Sequence, residues 1–210
     1  MKVIEPNFSL RLINREEIVY NISRAGRVCY KSESGTEEQE SDRIRNWIMK
    51  GHESVIEHEF ISVNFIHNRG FSHEMVRHRL ASFSQESTRY CNYSKNRFNR
   101  ELTFIRPYWF DEDEPIKKGE WKKVAETIEG LYMNWTESGM PAQAARGILP
   151  NDIKTEIVVT ANLREWRHIL KLRTSPTAHP DMRRVMRPFL DELKIILPEF
   201  FEDIDYNIPF

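Results

Sequence analysis

The chain has 210 residues, 40% of them apolar and 30% charged, with a formal net charge of −1. This length suits one domain able to bury roughly 70% of its unfolded surface without a disulfide or metal staple, and the neutral balance argues against a protein built mainly for duplex nucleic acid. Two distant cysteines, Cys29 and Cys91, no apolar run of membrane-span length and no signal-peptide core in MKVIEPNFSLRLINREE together predict a cytoplasmic chain with reduced thiols and no membrane.

In chain order, residues 2–13 alternate weakly and read as a strand. Glu16 to Tyr30 reads as a helix, with Ile18, Ile22, Ala25 and Cys29 recurring every three or four residues. Lys31 to Glu40 is polar and reads as a loop, and a second helix carries Ile44, Trp47 and Ile48. His52–His58 (HESVIEH) reads as a turn into a short helix, because the second histidine of HExxH or HxxEH is absent and neither zinc pattern fits. No metal is expected. Phe60 to Ile66 alternates as a strand, Gly70 breaks it, and a helix is predicted over Phe71–Ala81. Residues 82–100 read as loop, and Leu102–Arg106 as a strand ending at Pro107.

From Trp121 to Trp135 one helical face carries Trp121, Val124, Ala125, Ile128, Leu131, Tyr132 and Trp135. Glu156–Ala161 reads as a short strand, and Asn162 with Glu165 resembles a capping box opening a helix from Leu163. A last helix holds Val185, Met186, Phe189, Leu193 and Ile196. Strands and helices mix without strict alternation, so the expected class is α+β.

The glycines form neither GxGxxG nor GxxxxGK[ST], and no GxSxG elbow occurs, which excludes the usual nucleotide cradles and the hydrolase nucleophile. The chemistry concentrates instead in residues 77–90, RHRLASFSQESTRY, with three Arg, one His and four Ser/Thr hydroxyls against a single acid. Small polar side chains among arginines suit an anion pocket. Neighbours on a helix diverge by about 100°, so Arg77, His78 and Arg79 cannot share one direction. Arg173 continues the apolar stripe of Trp166, Ile169 and Leu170, while Arg164, Arg167 and Lys171 fall on the other side. An arginine on an apolar face needs an anionic or planar partner, or else snorkels from the helix end. With Arg89 and Arg146 the set suits phosphates and imide edges. A competing reading makes the stretch a single-stranded RNA surface with Tyr90, Tyr93 and Phe98 stacking on bases.

Arg77-His78-Arg79 followed after seven residues by Ser87 resembles the RHR(x)7S signature of the flavin-dependent thymidylate synthases, the ThyX family. Ser82, Arg89 and Tyr90 extend the likeness, Gly51-His52-Glu53-Ser54 with Glu57-His58 resembles that family's GHE[ST]xxEH segment, and Arg146, Leu149-Pro150, Asn162-Leu163-Arg164 and Leu172-Arg173 resemble its later blocks.

The resemblance implies a single α+β domain over residues 1–210 with a small, mostly antiparallel sheet and packed helices, assembling as a homotetramer. It implies reductive methylation of dUMP to dTMP, with methylenetetrahydrofolate as carbon donor, FAD as hydride carrier and NADPH as reductant. Carried over by position, Ser54, Arg77, His78, Arg79, Gln85, Asn162, Arg164 and His168 would contact FAD, with His52 a possible addition. Glu74, Arg77, Gln85, Ser87, Thr88, Arg89, Arg146 and Arg173 would hold dUMP, with Arg173 as the catalytic cation. No protein nucleophile is implied, and neither Cys29 nor Cys91 has the Pro-Cys-His context of the unrelated thymidylate synthase. Ser84-Gln85 in place of Asn-Glu, Glu74 where Gln is common, and His168 where Asn is frequent depart from many relatives, as does Ala178-His179-Pro180. A flavin- and nucleotide-binding protein that lacks methylation remains the alternative.

Overall fold

Proline cannot donate to a strand ladder, and Pro6 accordingly divides the expected strand over residues 2–13. In the computed structural model, which describes residues 1–207, strand β1 is Lys2–Ile4 and β2 is Asn7–Leu10. β1 pairs in parallel with β5, Thr103–Ile105, so that Lys2 faces Thr103 and Ile4 faces Ile105. This pair departs from the mostly antiparallel expectation; the long connection between the two strands permits it. β2 belongs to a four-stranded sheet of order β2-β3-β6-β4, with β3 at Phe60–Asn68, β4 at Ala81–Gln85 and β6 at Lys154–Asn162.

Helix α1, Arg15–Tyr30, opens on Asn14, whose side chain accepts from the Glu17 amide. Helix α2, Glu37–Met49, begins within the stretch expected to be loop. A reciprocal capping box explains the difference: Thr36 Oγ1 accepts from Gln39 N, and Gln39 Oε1 accepts from Thr36 N. The helices approach closely at Gly26, where an added Cβ would lie 2.1 Å from the Trp47 ring.

Helix α3, Arg69–Met75, is shorter and earlier than the expected Phe71–Ala81. Asn68 caps it by accepting from Phe71 N at 2.9 Å, so Gly70 falls inside the first turn rather than ending an element. Residues from Ala81 to Gln85 join the sheet as β4, so strand pairing takes Ala81 from the expected helix and orders the start of the stretch expected to be loop. Arg77, His78 and Arg79 therefore lie in the turn between α3 and β4, and Glu74 and Arg77 do not share a helical face.

Helix α4, Pro115–Glu137, starts with proline at the position where a missing N–H is harmless. Its buried side is narrower than expected: Ala125 and Tyr132 are buried, whereas Val124 is 58% and Leu131 41% exposed. The later helices are α5 at Ala142–Ala145, α6 at Leu163–Thr174, α7 at Pro180–Ile196 and α8 at Pro198–Phe201.

The chain divides into two compact units. The first comprises Met1–Asn7, Phe65–Arg77 and Ser84–Ile157. Its core gathers Tyr93, Leu102, Phe104, Ala125, Tyr132, Ala145 and Ile153. The second comprises Phe8–Asn64, His78–Phe83 and Val158–Phe210. There Trp166 is fully buried against Phe189, and its indole N–H donates to the Ile61 carbonyl at 2.9 Å. Each fully buried Ile, Leu or Phe contributes roughly 1.5–3 kcal/mol, so these clusters hold the strands that carry the polar residues below.

Candidate functional site

In the first unit, the chain leaves β4 through a turn in which the Tyr90 and Cys91 amides both donate to the Ser87 carbonyl. Ser87 Oγ accepts from the Arg89 amide at 3.3 Å, which gives the hydroxyl a local hydrogen-bonding task rather than a nucleophile's partner base. Thr88 is buried, and Arg146 Nη1 approaches its Oγ1 at 3.5 Å. Arg89 lies over the Tyr90 ring and donates to Gln143 Oε1 at 3.3 Å. Ser87, Thr88, Arg89 and Arg146 thus form a cationic, hydroxyl-bearing cluster of the kind that receives an anion. Gln85 precedes it at the end of β4, and its amide Nε2 donates to Ser72 and Thr155. Glu74 is half-buried on α3. Arg77 is exposed, and among the described residues its guanidinium has no partner.

One neighbouring cluster escaped the sequence reading. Lys154 binds Glu86 at 2.9 Å and Glu156 at 2.5 Å, and the Tyr93 hydroxyl donates to Glu86 at 2.8 Å. Burial alone would depress the Lys154 ammonium, but Glu156 and Glu86 outweigh it and hold the pKa above its ordinary value. Lys154 and Glu156 stand two apart on one strand, hence on one face, and that spacing was the available signal. Tyr93 is buried and engaged with Glu86, and Phe98 packs edge-on against it, so of the three rings in the RNA reading only Tyr90, which is exposed, offers a free stacking face.

In the second unit the central group is His78, 5% exposed. Arg173 Nε donates to its Nε2 at 3.0 Å. An arginine Nε–H can only donate, so His78 Nε2 must accept, and the neutral ring carries its proton on Nδ1. That atom stands 3.6 Å from Glu165 Oε1. Burial, then the nearby Arg173 charge, pushes the His78 pKa down to about 4. Burial also raises the Glu165 carboxyl above its ordinary value, with His168 acting against the rise. The imidazole is therefore the planar partner that the Arg173 position demanded.

Asn162 caps α6, its Oδ1 accepting from the Glu165 amide at 2.8 Å; the reciprocal half of the expected box is replaced by Glu165 turning toward His78. Asn162, Arg164 and His168 line a cavity of about 520 Å3 together with Leu80, Arg167, Lys171 and the acids Glu53, Glu57 and Glu165. That volume lies within the range of cofactor pockets, and its lining balances three cationic side chains against three carboxylates. Glu57 on the short 3-10 turn Glu53–His58 pairs with Arg164 at 2.6 Å. Glu53 reaches Arg167 at 3.1 Å, so the acids of HESVIEH serve ion pairs. Ser54 and His52 are exposed on the same turn, and Arg79 is exposed with no partner for its guanidinium among the described residues.

Arg167 requires a correction. Expected on the polar side of α6 with Arg164 and Lys171, it is only 2% exposed. It binds Asp203 through two bonds of 2.6 and 2.7 Å, Glu53 at 3.1 Å, and the Phe200 carbonyl. The segment after α8 brings Asp203 to it, a long-range pairing that helical periodicity does not encode.

The depressed His78 pKa has a consequence for stability. Between pH 6.5 and about 4 the unfolded chain binds a proton at this position and the folded chain does not, so stability falls as the pH drops through that window. A shift of this size corresponds to about 3 kcal/mol. Urea unfolding at pH 7 and pH 4 is expected to show this extra loss in the wild type and its absence in His78→Gln. Equal pH dependence in the two proteins would contradict a neutral, buried His78.

Residues 11–199 match the family described as thymidylate synthase complementing protein. Among curated relatives, the flavin-dependent thymidylate synthase of Pyrococcus furiosus is 39% identical over 145 residues, covering 68% of this chain and 58% of the relative. That of Thermococcus kodakarensis is 40% identical over 144 residues with the same coverage. That of Mycobacterium tuberculosis is 30% identical over 199 residues, covering 86% of this chain and 77% of the relative. The chain thus matches little more than half the length of the two archaeal relatives. The solved structure of a UMP/dUMP methylase, PolB from Streptomyces cacaoi, bound with 5-Br dUMP, covers 96% of each chain with a TM-score of 0.78. At 21% identity that likeness establishes the fold. The family match spans most of the chain and both compact units, and the chain belongs to the thymidylate synthase complementing protein family.

Proposed function

We propose that this protein is a flavin-dependent thymidylate synthase that methylates dUMP reductively to dTMP. Methylenetetrahydrofolate is the carbon donor and NADPH the reductant, with FAD supplying hydride chemistry when bound. The observation that carries this reading is the seating of Arg173 on a neutral, buried histidine, alongside the family relationship. A fixed guanidinium near the pyrimidine N3 and its adjoining carbonyl stabilises the negative charge that develops as C5 becomes nucleophilic, and low polarity strengthens that effect. An imidazolium in place of neutral His78 would repel Arg173; the neutral ring instead orients it.

Proposed FAD contacts are Ser54, Arg77, His78, Arg79, Gln85, Asn162, Arg164 and His168, with His52 in addition. The second unit's cavity supports Asn162, Arg164 and His168 in this role. Proposed dUMP contacts are Glu74, Arg77, Gln85, Ser87, Thr88, Arg89, Arg146 and Arg173, supported in the first unit by the arginine and hydroxyl cluster after β4. A single functional domain is supported by the continuous family match. Exposed apolar side chains such as Val124 and Leu131 on α4 support assembly, proposed as a homotetramer. A cytoplasmic location belongs to the same proposal; no described helix is long and apolar enough to cross a membrane.

Tritium release from dUMP labelled at C5, in the presence of methylenetetrahydrofolate and NADPH, tests the reading directly. FAD-dependent release is expected. A folded, flavin-loaded protein that releases no tritium would leave a flavin- and nucleotide-binding protein without methylation.

A further inference from the structure

Arg173 stands one residue before the end of α6, in the last turn, where helix carbonyls lack intrahelical partners and the backbone frays. No glycine closes this end; Ser175 leaves the helix in extended backbone at φ −51° and ψ 149°. Thr174 and Ser175 are both fully buried, so water does not reach the final carbonyl. Arg187 on α7 serves it instead. Its Nε donates to the Thr174 carbonyl at 3.0 Å, and its Nη2 donates to the Tyr206 carbonyl at 3.4 Å. The guanidinium lies over the Tyr206 ring, 4.8 Å from the centroid, with Lys194 5.6 Å from the same centroid. Among the described residues no carboxylate pairs with Arg187. Its charge therefore faces the negative end of α6 and the π face of a tyrosine.

We infer that Arg187 is a positioning residue for the proposed reaction, clamping the last turn of α6 so that Arg173 stays aimed at His78. The inference rests on the synthase reading above, in which Arg173 stabilises the developing charge. His78, α6, α7 and Tyr206 all belong to the second compact unit. The 3.0 Å bond from Arg173 to His78 depends on where the α6 backbone ends. Holding the carbonyl of the next residue holds the Cα from which Arg173 projects. The planar fork of Arg187 suits this task, since one edge meets two carbonyls while the face rests on the ring. Through Tyr206 the C-terminal segment becomes part of the same clamp.

The test measures kcat and the KM for dUMP in Arg187→Met, Arg173→Lys and the double variant, with a thermal melt of each. Arg187→Met keeps most of the stem and is expected to lower kcat about 10- to 100-fold, the cost of misplacing a reacting group by about 1 Å. KM should change little, because the lost aim matters chiefly in the transition state. The double variant should be no slower than Arg173→Lys alone, since Arg187 then has nothing to aim. Additive losses would make Arg187 a general stabilising residue and overturn the inference, as would wild-type kcat in folded Arg187→Met. If Arg187→Met does not fold, Tyr206→Leu withdraws only the ring, with an expected kcat loss of about 3-fold. Wild-type turnover there would count equally against the clamp. The His78 ring reports the aim without any turnover. Burial and then the Arg173 charge hold its pKa at about 4, with Glu165 and His168 also facing the ring. In Arg187→Met its NMR titration is expected to move up, toward the ordinary histidine range, as Arg173 withdraws. An unmoved titration in the folded variant would again overturn the clamp. Wild type that forms no dTMP would sink the synthase reading, and the His78 titration would still decide whether Arg187 aims Arg173.

Discussion

Arg173→Lys is expected to lower dTMP formation by about 100- to 1,000-fold, the usual cost of removing one fixed donor from a developing charge. The unfolding midpoint should move by only a few degrees. Lysine keeps the positive charge but loses both the planar fork and the Nε–H that binds His78 at 3.0 Å. The remaining ammonium is a mobile point charge on a flexible stem, no longer aimed by the imidazole. Arg173 is only half-buried near the end of α6, so its loss opens no core cavity. Single-turnover dTMP formation with saturating dUMP, together with a thermal melt, separates the two effects. Near wild-type turnover in a folded Arg173→Lys protein would remove Arg173 from the chemistry.

Arg167 should behave in the opposite way, large in stability and indirect in activity. Arg167→Met preserves most of the volume while deleting the guanidinium that joins Asp203, Glu53 and the Phe200 carbonyl. Breaking a buried ion pair from one side typically costs about 3–5 kcal/mol. Asp203 keeps 45% of its side chain exposed and can rehydrate when left alone, which places this case near the lower end of that range. The Phe200 carbonyl, within fully buried residue surroundings, loses a donor that solvent cannot readily replace. A loss of about 3 kcal/mol corresponds to a fall in Tm of roughly 6–12 °C for a chain of this size. Adding Asp203→Asn should recover part of the loss, since it removes the unpaired charge. A melt within 2 °C of wild type for Arg167→Met would show that the network is not a stabilising one.

These two arginines show where helical periodicity is informative and where it stops. Arg173 stood out because its position continues the stripe of Trp166, Ile169 and Leu170, and the stripe itself is buried as expected. Periodicity could say that a partner was needed there, but not that the partner was His78, 95 residues earlier. Arg167 was expected on the polar side because Arg164 and Lys171, three before and four after it, are charged, while its partners Asp203 and Phe200 arrive from the C-terminal segment. In the same way RHR was legible as a concentration of donors. That His78 is buried while Arg77 and Arg79 are exposed depends on α3 ending at Met75 and β4 starting at Ala81.

Alone, the sequence determined the α+β class, the long helices with regular apolar faces, and the family, because these rest on local periodicity and on side chains identified by type and spacing. It also contained the α2 capping box, a local signal in Thr36 and Gln39. The tertiary structure alone decided the split of the first strand between two sheets, the conversion of Ala81–Gln85 into β4, and the orientation of the Gln85 amide. The physical reason is shared: strand pairing and buried hydrogen bonds join residues far apart in the chain. Ser72, Gln85 and Thr155 acquire their donor and acceptor roles only once folding has placed all three together and removed the two hydroxyls from water.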